Sequence, residues 1–166
     1  MSDQTVTTTG RTFILTRTFD APRALVFTAY SSCEHLRQWW GPRSWPMVEC
    51  SIDFRVGGVW HYCLRGPGEG DASWGRAVYD EIVEPERIAF TDSFSDAEGH
   101  VNDAMPTTRS SIDFVDEGGR TRLTLRAEYA TPEDLRAVID MGMEAGITET
   151  LDRLEEHVSR SATSSA

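Results

Sequence analysis

The sequence predicts an α+β fold: one curved antiparallel sheet of six to seven strands wrapped round a long C-terminal helix, with two short helices after strand 1. Three observations predict it. Between Met47 and Tyr129 the chain is a succession of strand-like segments joined by tight turns, which is the signature of an antiparallel meander. From Thr131 the apolar period changes to 3.6 and holds to Val158. Between the first strand and the meander lie two short apolar stripes, the second stopped by Gly41-Pro42.

Each element has its own local reason. "RTFILTRTF" (11–19) sets Phe13, Leu15 and Phe19 against threonines, a half-buried strand. Asp20 or Ala21 can cap a helix with Pro22 in its first turn and Leu25, Val26, Ala29 and Tyr30 as its stripe. Ser31 and Glu34 have capping-box spacing for a second helix, with Leu36, Trp39 and Trp40 on one face. "MVECSI" runs through "DFRVGG" into "VWHYCL", a hairpin turning at Gly57-Gly58. "SWGRAVYDEIV" and "RIAFTDSF" are joined by Glu84-Pro85-Glu86. After a polar loop (95–106), "TTRSSIDFV" and "RTRLTLRAEY" flank Asp116-Glu117-Gly118-Gly119. Thr131 and Asp134 cap the last helix, Pro132 takes its first position, and Leu135, Ile139, Met143, Ile147, Leu151, Leu154 and Val158 form one stripe. Run to Val158, that helix has about 27 residues and spans on the order of 40 Å, enough to cover the meander. Residues 11–158 thus read as one domain, and the small polar residues of 1–10 and 159–166 as disordered tails.

Composition narrows the function. The formal net charge of −11 opposes nucleic acid and anionic membrane surfaces. All sixteen basic residues are arginine, so Schiff-base chemistry and lysine-based phosphate loops are excluded. No apolar run approaches the roughly 20 residues that span a bilayer, and "MSDQTVTTTG" lacks the regions of a signal peptide. Cys33, Cys50 and Cys63 are odd in number and lack metal-ligand spacing, which reads as reduced thiols in a cytoplasmic protein. His35, His61, His100 and His157 form no metal motif or catalytic triad. No cofactor, metal or catalytic residue is assigned.

What remains is a concentration of rings. "HLRQWWGPRSWP" (35–46) holds three of the five tryptophans, Trp39, Trp40 and Trp45, beside a chain break. A sheet wrapped round one helix cannot close tightly at both ends, and this segment is placed to plug one of them. Trp60 and Tyr62 share a strand face, and Trp74, Phe90 and Phe94 are read as inward on the next strands. Either these rings cap a solid core or they line and gate a cavity. Gly142 and Gly146, i and i+4 beside Met143 and Ile147, allow the same two choices: close approach of the helix to the sheet, or room for a ligand. Arg17, which interrupts the Phe13-Leu15-Phe19 face, must be paired in a salt bridge or serve as a polar anchor for a ligand. Asp92 and Arg76 pose that choice again.

"RTFDAPRALVFTAY", "EHLRQWWGP", "DFRVGGVWHY", "EIVEPERIAFTD" and "MGMEAGITETLDRLEEH" occur in one order. Across residues 11–158 they resemble the activator-of-heat-shock-ATPase-like family of the START-like (SRPBCC) superfamily. The resemblance implies the helix-grip fold around a deep, mainly apolar cavity, and binding of a hydrophobic or aromatic small molecule: lipid-, flavonoid- or polyketide-like. A cyclase or dehydratase using Asp92 or Arg76 is the second reading, and a co-chaperone-type module the third. Activation of a heat-shock ATPase is not expected, because the eukaryotic co-chaperones carry a separate N-terminal domain that residues 1–10 do not supply. A homodimer would use the sheet edges and the exposed part of the tryptophan segment.

Overall fold

The computed structural model describes residues 4–164, with side chains described to residue 160. Its strands are β1 (Gln4–Thr9), β2 (Thr12–Phe19), β3 (Met47–Ile52), β4 (Val59–Arg65), β5 (Ala72–Val83), β6 (Arg87–Ser95), β7 (Thr108–Glu117) and β8 (Arg120–Glu128). They form one antiparallel sheet in the order β1-β2-β8-β7-β6-β5-β4-β3. The meander from β3 to β8 is consecutive, and pairing of β2 with β8 brings the start of the chain against its last strand. Alternate residues of β2 are buried, so Phe13, Leu15 and Phe19 join Ile112, Phe114 and Leu123 on the concave side.

The sheet has one strand more than the sequence predicts. Gln4–Thr9, expected as part of a disordered tail, pairs with β2 from Gln4↔Arg17 to Thr9↔Thr12. Threonine and valine are β-branched and suit a strand, and β2 offers a row of otherwise unpaired backbone groups. Val6 packs against the core from this strand. At the other end the helix continues to Ser164 rather than fraying at residue 159. Residues 1–3 and 165–166 of the two expected tails lie outside the described residues.

Both short helices form, with starts shifted from those predicted. α1 (Arg23–Thr28) has Pro22 as its extended N-cap, with no side-chain cap from Asp20 or Ala21. α2 (Cys33–Trp39) is capped by Ser32, whose hydroxyl accepts the His35 backbone N–H at 3.3 Å. Ser31 is occupied elsewhere, donating to the Thr28 carbonyl at 2.7 Å as α1 ends. The cysteine reading also needs correction. Cys33, the first residue of α2, and Cys50 of β3 lie with Cα atoms 5.8 Å apart and are joined in a disulfide. This leaves Cys63 as the one free cysteine, buried on β4, and removes the thiol argument for a reducing compartment.

The closing helix is two helices. α3 (Pro132–Asp140) begins at the predicted cap, where the Thr131 hydroxyl accepts the Asp134 N–H at 3.1 Å. It ends at Met141, and Gly142 takes φ +91° before α4 (Met143–Ser164) begins. A left-handed glycine just past the last turn is a helix stop. The apolar stripe runs on through this elbow, so the 3.6 period alone does not reveal it. The stripe itself shifts: Val138 is buried, and Ile139 is exposed.

α4 is fixed along its C-terminal half. Leu151, Leu154 and Val158 are buried. His157 Nε2 lies 2.9 Å from His35 Nδ1 on α2. The Arg153 guanidinium donates to the Gly41 carbonyl at 2.7 Å and the Gln38 carbonyl at 3.1 Å, satisfying acceptors at the end of α2. The tryptophan-rich segment is therefore tied to the closing helix by polar contacts and to β3 by the disulfide. The N-terminal half of α4 is looser, with Met143, Gly146 and Ile147 only half-buried.

Candidate functional site

The concave face of β4 to β7 is built from large rings beside very small residues. Register sets Trp60 of β4 opposite Ala77 of β5, and Ala77 opposite Asp92 of β6. One pair along, Tyr62 stands opposite Gly75, and Gly75 opposite Phe94. β5 thus forms a trough whose floor has almost no side chain, and the β4 rings lean into it. The Tyr62 ring occupies the space above Gly75, where an added Cβ would lie 2.4 Å from Tyr62 Cζ. Trp60 and Tyr62 stack at 4.4 Å, and Trp40 meets them edge-on at 4.8 and 5.9 Å. Trp39 continues the chain of rings to Tyr30, at 5.5 and 4.8 Å.

On either side of the Trp60–Tyr62 stack is a void. One, of about 90 Å3, is bounded by Tyr62, Leu64, Gly75, Asp92, Phe94 and Thr108, among others. The other, of about 10 Å3, lies among Tyr30, Trp40, Trp60, Tyr79, Ile88 and Phe90. The single deep apolar cavity implied by the resemblance is not the arrangement found. Pockets for drug-sized ligands begin at about 300 Å3. The rings expected as walls instead fill the middle, leaning over the small residues of β5.

Two polar groups face this interior. Trp60 is 4% exposed, and its indole N–H has no acceptor among the described residues. Asp92 is a carboxyl in an aromatic recess; burial raises its pKa to about 7, against the pull of the Ser93 backbone N–H. Burial first, and then the Asp92 charge, push the Tyr62 and Tyr79 phenols above their ordinary range. Tyr129 is raised by burial as well, and its hydroxyl donates to Met143 Sδ at 3.2 Å. Near neutral pH Asp92 is thus divided between acid and carboxylate, beside three phenols that stay protonated.

Phe90 is buried at the smaller void and Phe94 half-buried at the larger one, as the strand parity predicts. Trp39 is core, fully buried, with its indole N–H donating to the Ala29 carbonyl at 3.0 Å. Trp45 packs on Gly66 beyond β4, away from both voids.

Trp74 and Arg76 require correction. Trp74 does border the larger void, but both residues alternate with Gly75, Ala77 and Tyr79 and so project their side chains from the opposite face, where the Trp74 ring stacks on His61 at 4.9 Å. The error has a physical source. Parity within β5 admits either face, and the inward set opens with two small residues that carry no apolar signal. The spacing Gly75, Ala77, Tyr79 was the available clue.

The glycine pair does not bring the helix into close contact with the sheet. Gly142 is exposed at the elbow and Gly146 half-buried, and a Cβ at either would meet nothing within 4 Å. Arg17 takes the salt-bridge option: 3% exposed, it donates to Asp152 at 2.7 Å, Glu155 at 2.9 Å and Gln4 Oε1 at 3.0 Å. It joins β2 to α4 at the base of an open polar cleft of about 640 Å3, which also holds Arg43, Glu149 and Glu156. Asp96, Glu98 and His100 form the one cluster of metal-compatible geometry among the described residues. All three are exposed, and Asp96 accepts the backbone N–H of both others, which closes their loop.

The family model of the Activator of Hsp90 ATPase homolog 1-like protein matches residues 20–159. The chain belongs to that family. Among solved structures, this Hsp90-activator-homolog-like chain is similar to a Mycobacterium smegmatis protein at 29% identity and TM-score 0.84, covering 93% of this chain and 96% of that one. A protein from Arthrobacter aurescens gives 27% and 0.84, with coverage of 94% and 91%. One from Staphylococcus epidermidis gives 29% and 0.80, with coverage of 95% and 94%. No curated protein matches. The sheet and its closing helix are those of the helix-grip fold, a ligand-binding architecture. Among the described residues no helix is long and apolar enough to cross a membrane.

Proposed function

We propose that the protein binds a hydrophobic or aromatic small molecule in the recess between the β4–β7 trough and the N-terminal half of α4. The observation that carries this reading is the pair of polar groups beside the ring stack: a buried indole N–H without an acceptor among the described residues, and a half-buried carboxyl at about 7 that has no ion-pair partner among them. A core selected only for stability has little reason to keep the first, since an unsatisfied buried polar group costs roughly 1–3 kcal/mol. Rotation of Tyr62 off Gly75 would join the two voids and expose both groups to one guest. Met143 of α4 approaches from the helix side, where its Sδ accepts the Tyr129 hydroxyl.

A tryptophan-fluorescence and thermal-shift screen against lipids, flavonoids and aromatic polyketides tests the reading. A binder is expected to raise the melting temperature and change the emission of Trp40 and Trp60. Absence of any hit across all three classes would contradict it.

Asp92 favours one further use of the same site. A carboxyl with a pKa near 7, beside phenols, is placed for proton transfer to or from a bound aromatic substrate, the chemistry of a cyclase or dehydratase. Arg76 has no part in it, being on the other face. Loss of turnover in Asp92→Asn, with binding retained, would separate this reaction from binding alone.

A further inference from the structure

Asp92 also restricts what kind of guest the recess accepts, a step that rests on the binding reading above. The carboxyl lines the void of about 90 Å3 and sits between Ala77 of β5 and Thr108 of β7, neither of which carries charge. The titratable groups facing it are the phenols of Tyr62 on β4, Tyr79 on β5 and Tyr129 just after β8. The α4 side chain that reaches this group is Met143, uncharged and bonded to Tyr129. None of the ion pairs among the described residues includes Asp92.

The missing counter-charge discriminates between guests. An anionic guest would meet the carboxylate directly and the net charge of −11 at long range. A neutral guest would leave the carboxylate desolvated and unpaired. A cation would neutralise it, and the surrounding rings would add to the attraction, because an ammonium group is drawn to an aromatic face. The space lies directly beside the carboxyl, in the void of about 90 Å3 that Asp92 itself lines.

We infer that the guest is an organic cation, an alkyl- or arylalkyl-ammonium whose head seats against Asp92 and whose apolar body lies along Leu64, Phe94 and Pro106. Burial holds Asp92 at about 7, so the head group meets a carboxylate above that pH and a neutral acid below it.

The test uses two probes of one shape, benzyltrimethylammonium and its uncharged isostere neopentylbenzene, titrated into the full chain by calorimetry and by NMR of the Tyr62, Asp92 and Phe94 amides. The charge of the first is permanent, so any pH dependence of its binding reports the protein. At about pH 8.5 the cation is expected to bind at least about tenfold more tightly than the isostere, falling to within about twofold at about pH 5.5. Asp92→Asn should bring the preference to within about twofold at both pH values. The wild-type pH profile gives the same answer should that variant fold poorly. Equal or tighter binding of the isostere at high pH would overturn the cationic guest and leave the apolar-guest reading standing. Binding of neither probe up to about 10 mM, which leaves affinity weaker than about 3 kcal/mol, would overturn both.

Discussion

Asp92 makes the stability of this protein depend on pH in the sense opposite to most carboxylates. An unfolded aspartate titrates near 3.9. In the fold Asp92 titrates near 7, raised chiefly by burial. Between those values the folded state binds the extra proton, so the contribution is fully present at acid pH and is lost as pH rises towards 7. Asp92→Asn, which keeps the shape without the charge, is therefore expected to stabilise the fold by roughly 2 kcal/mol at about pH 8 and by little at about pH 4, measured by urea denaturation. A variant less stable than wild type at the higher pH would mean that the carboxylate has a partner in solution. Arg17 is the contrasting charge, buried but with three partners on β1 and α4. Arg17→Ala should cost roughly 2–4 kcal/mol in the same experiment, since it removes packed volume and the polar link from β2 to the closing helix. A change within about 0.5 kcal/mol would show that the link contributes no more than an exposed pair.

At the scale of elements, the two glycines of "MGMEAGI" separate a structural requirement from a vacancy. Gly142 stops α3 at φ +91°, where an L side chain is strained. Gly142→Ala is expected to cost about 1 kcal/mol. Gly146 lies in the first turn of α4 with open space before it, so Gly146→Ala should gain about 1 kcal/mol of helix propensity. Thermal denaturation of the pair reads both, and equal losses would place Gly146 in close contact. The Cys33–Cys50 bridge closes a sequence separation of 17. Reducing it, or replacing both cysteines by serine, should lower stability by about 3 kcal/mol. It should also loosen α2 and its tryptophans from β3, with a change in tryptophan emission. Neither the bridge nor the elbow was legible in the chain. Cysteine pairing depends on which segments the fold brings together, and a helix stripe continues across one left-handed glycine without losing phase. The strands of the meander and the Thr131 cap were legible, because alternation and capping are local properties. β1 was missed for the converse reason: short polar threonines carry little burial signal, and it is the exposed edge of β2 that orders them.

At the scale of the whole molecule, the antiparallel meander and a helical C-terminal cover followed from the sequence pattern, and the interior did so only in part. Phe90, Phe94, Trp60 and Tyr62 were placed by parity and lie where parity sets them. Trp74 and Arg76 were not, because the inward positions of β5 are marked by small residues whose function is to be absent. How much room a ring leaves cannot be counted from composition; it depends on whether Tyr62 stands over Gly75 or away from it. The central claim is that this ring stack yields to a guest. The most direct measurement is an NMR titration of the five tryptophan indole N–H signals with 2-naphthol, an aromatic molecule that can accept a hydrogen bond. The account predicts a saturable shift of the Trp60 signal, accompanied by Trp40, with Trp45 unmoved. A shift at Trp45 alone, or no shift at Trp60 at saturating naphthol, would contradict it.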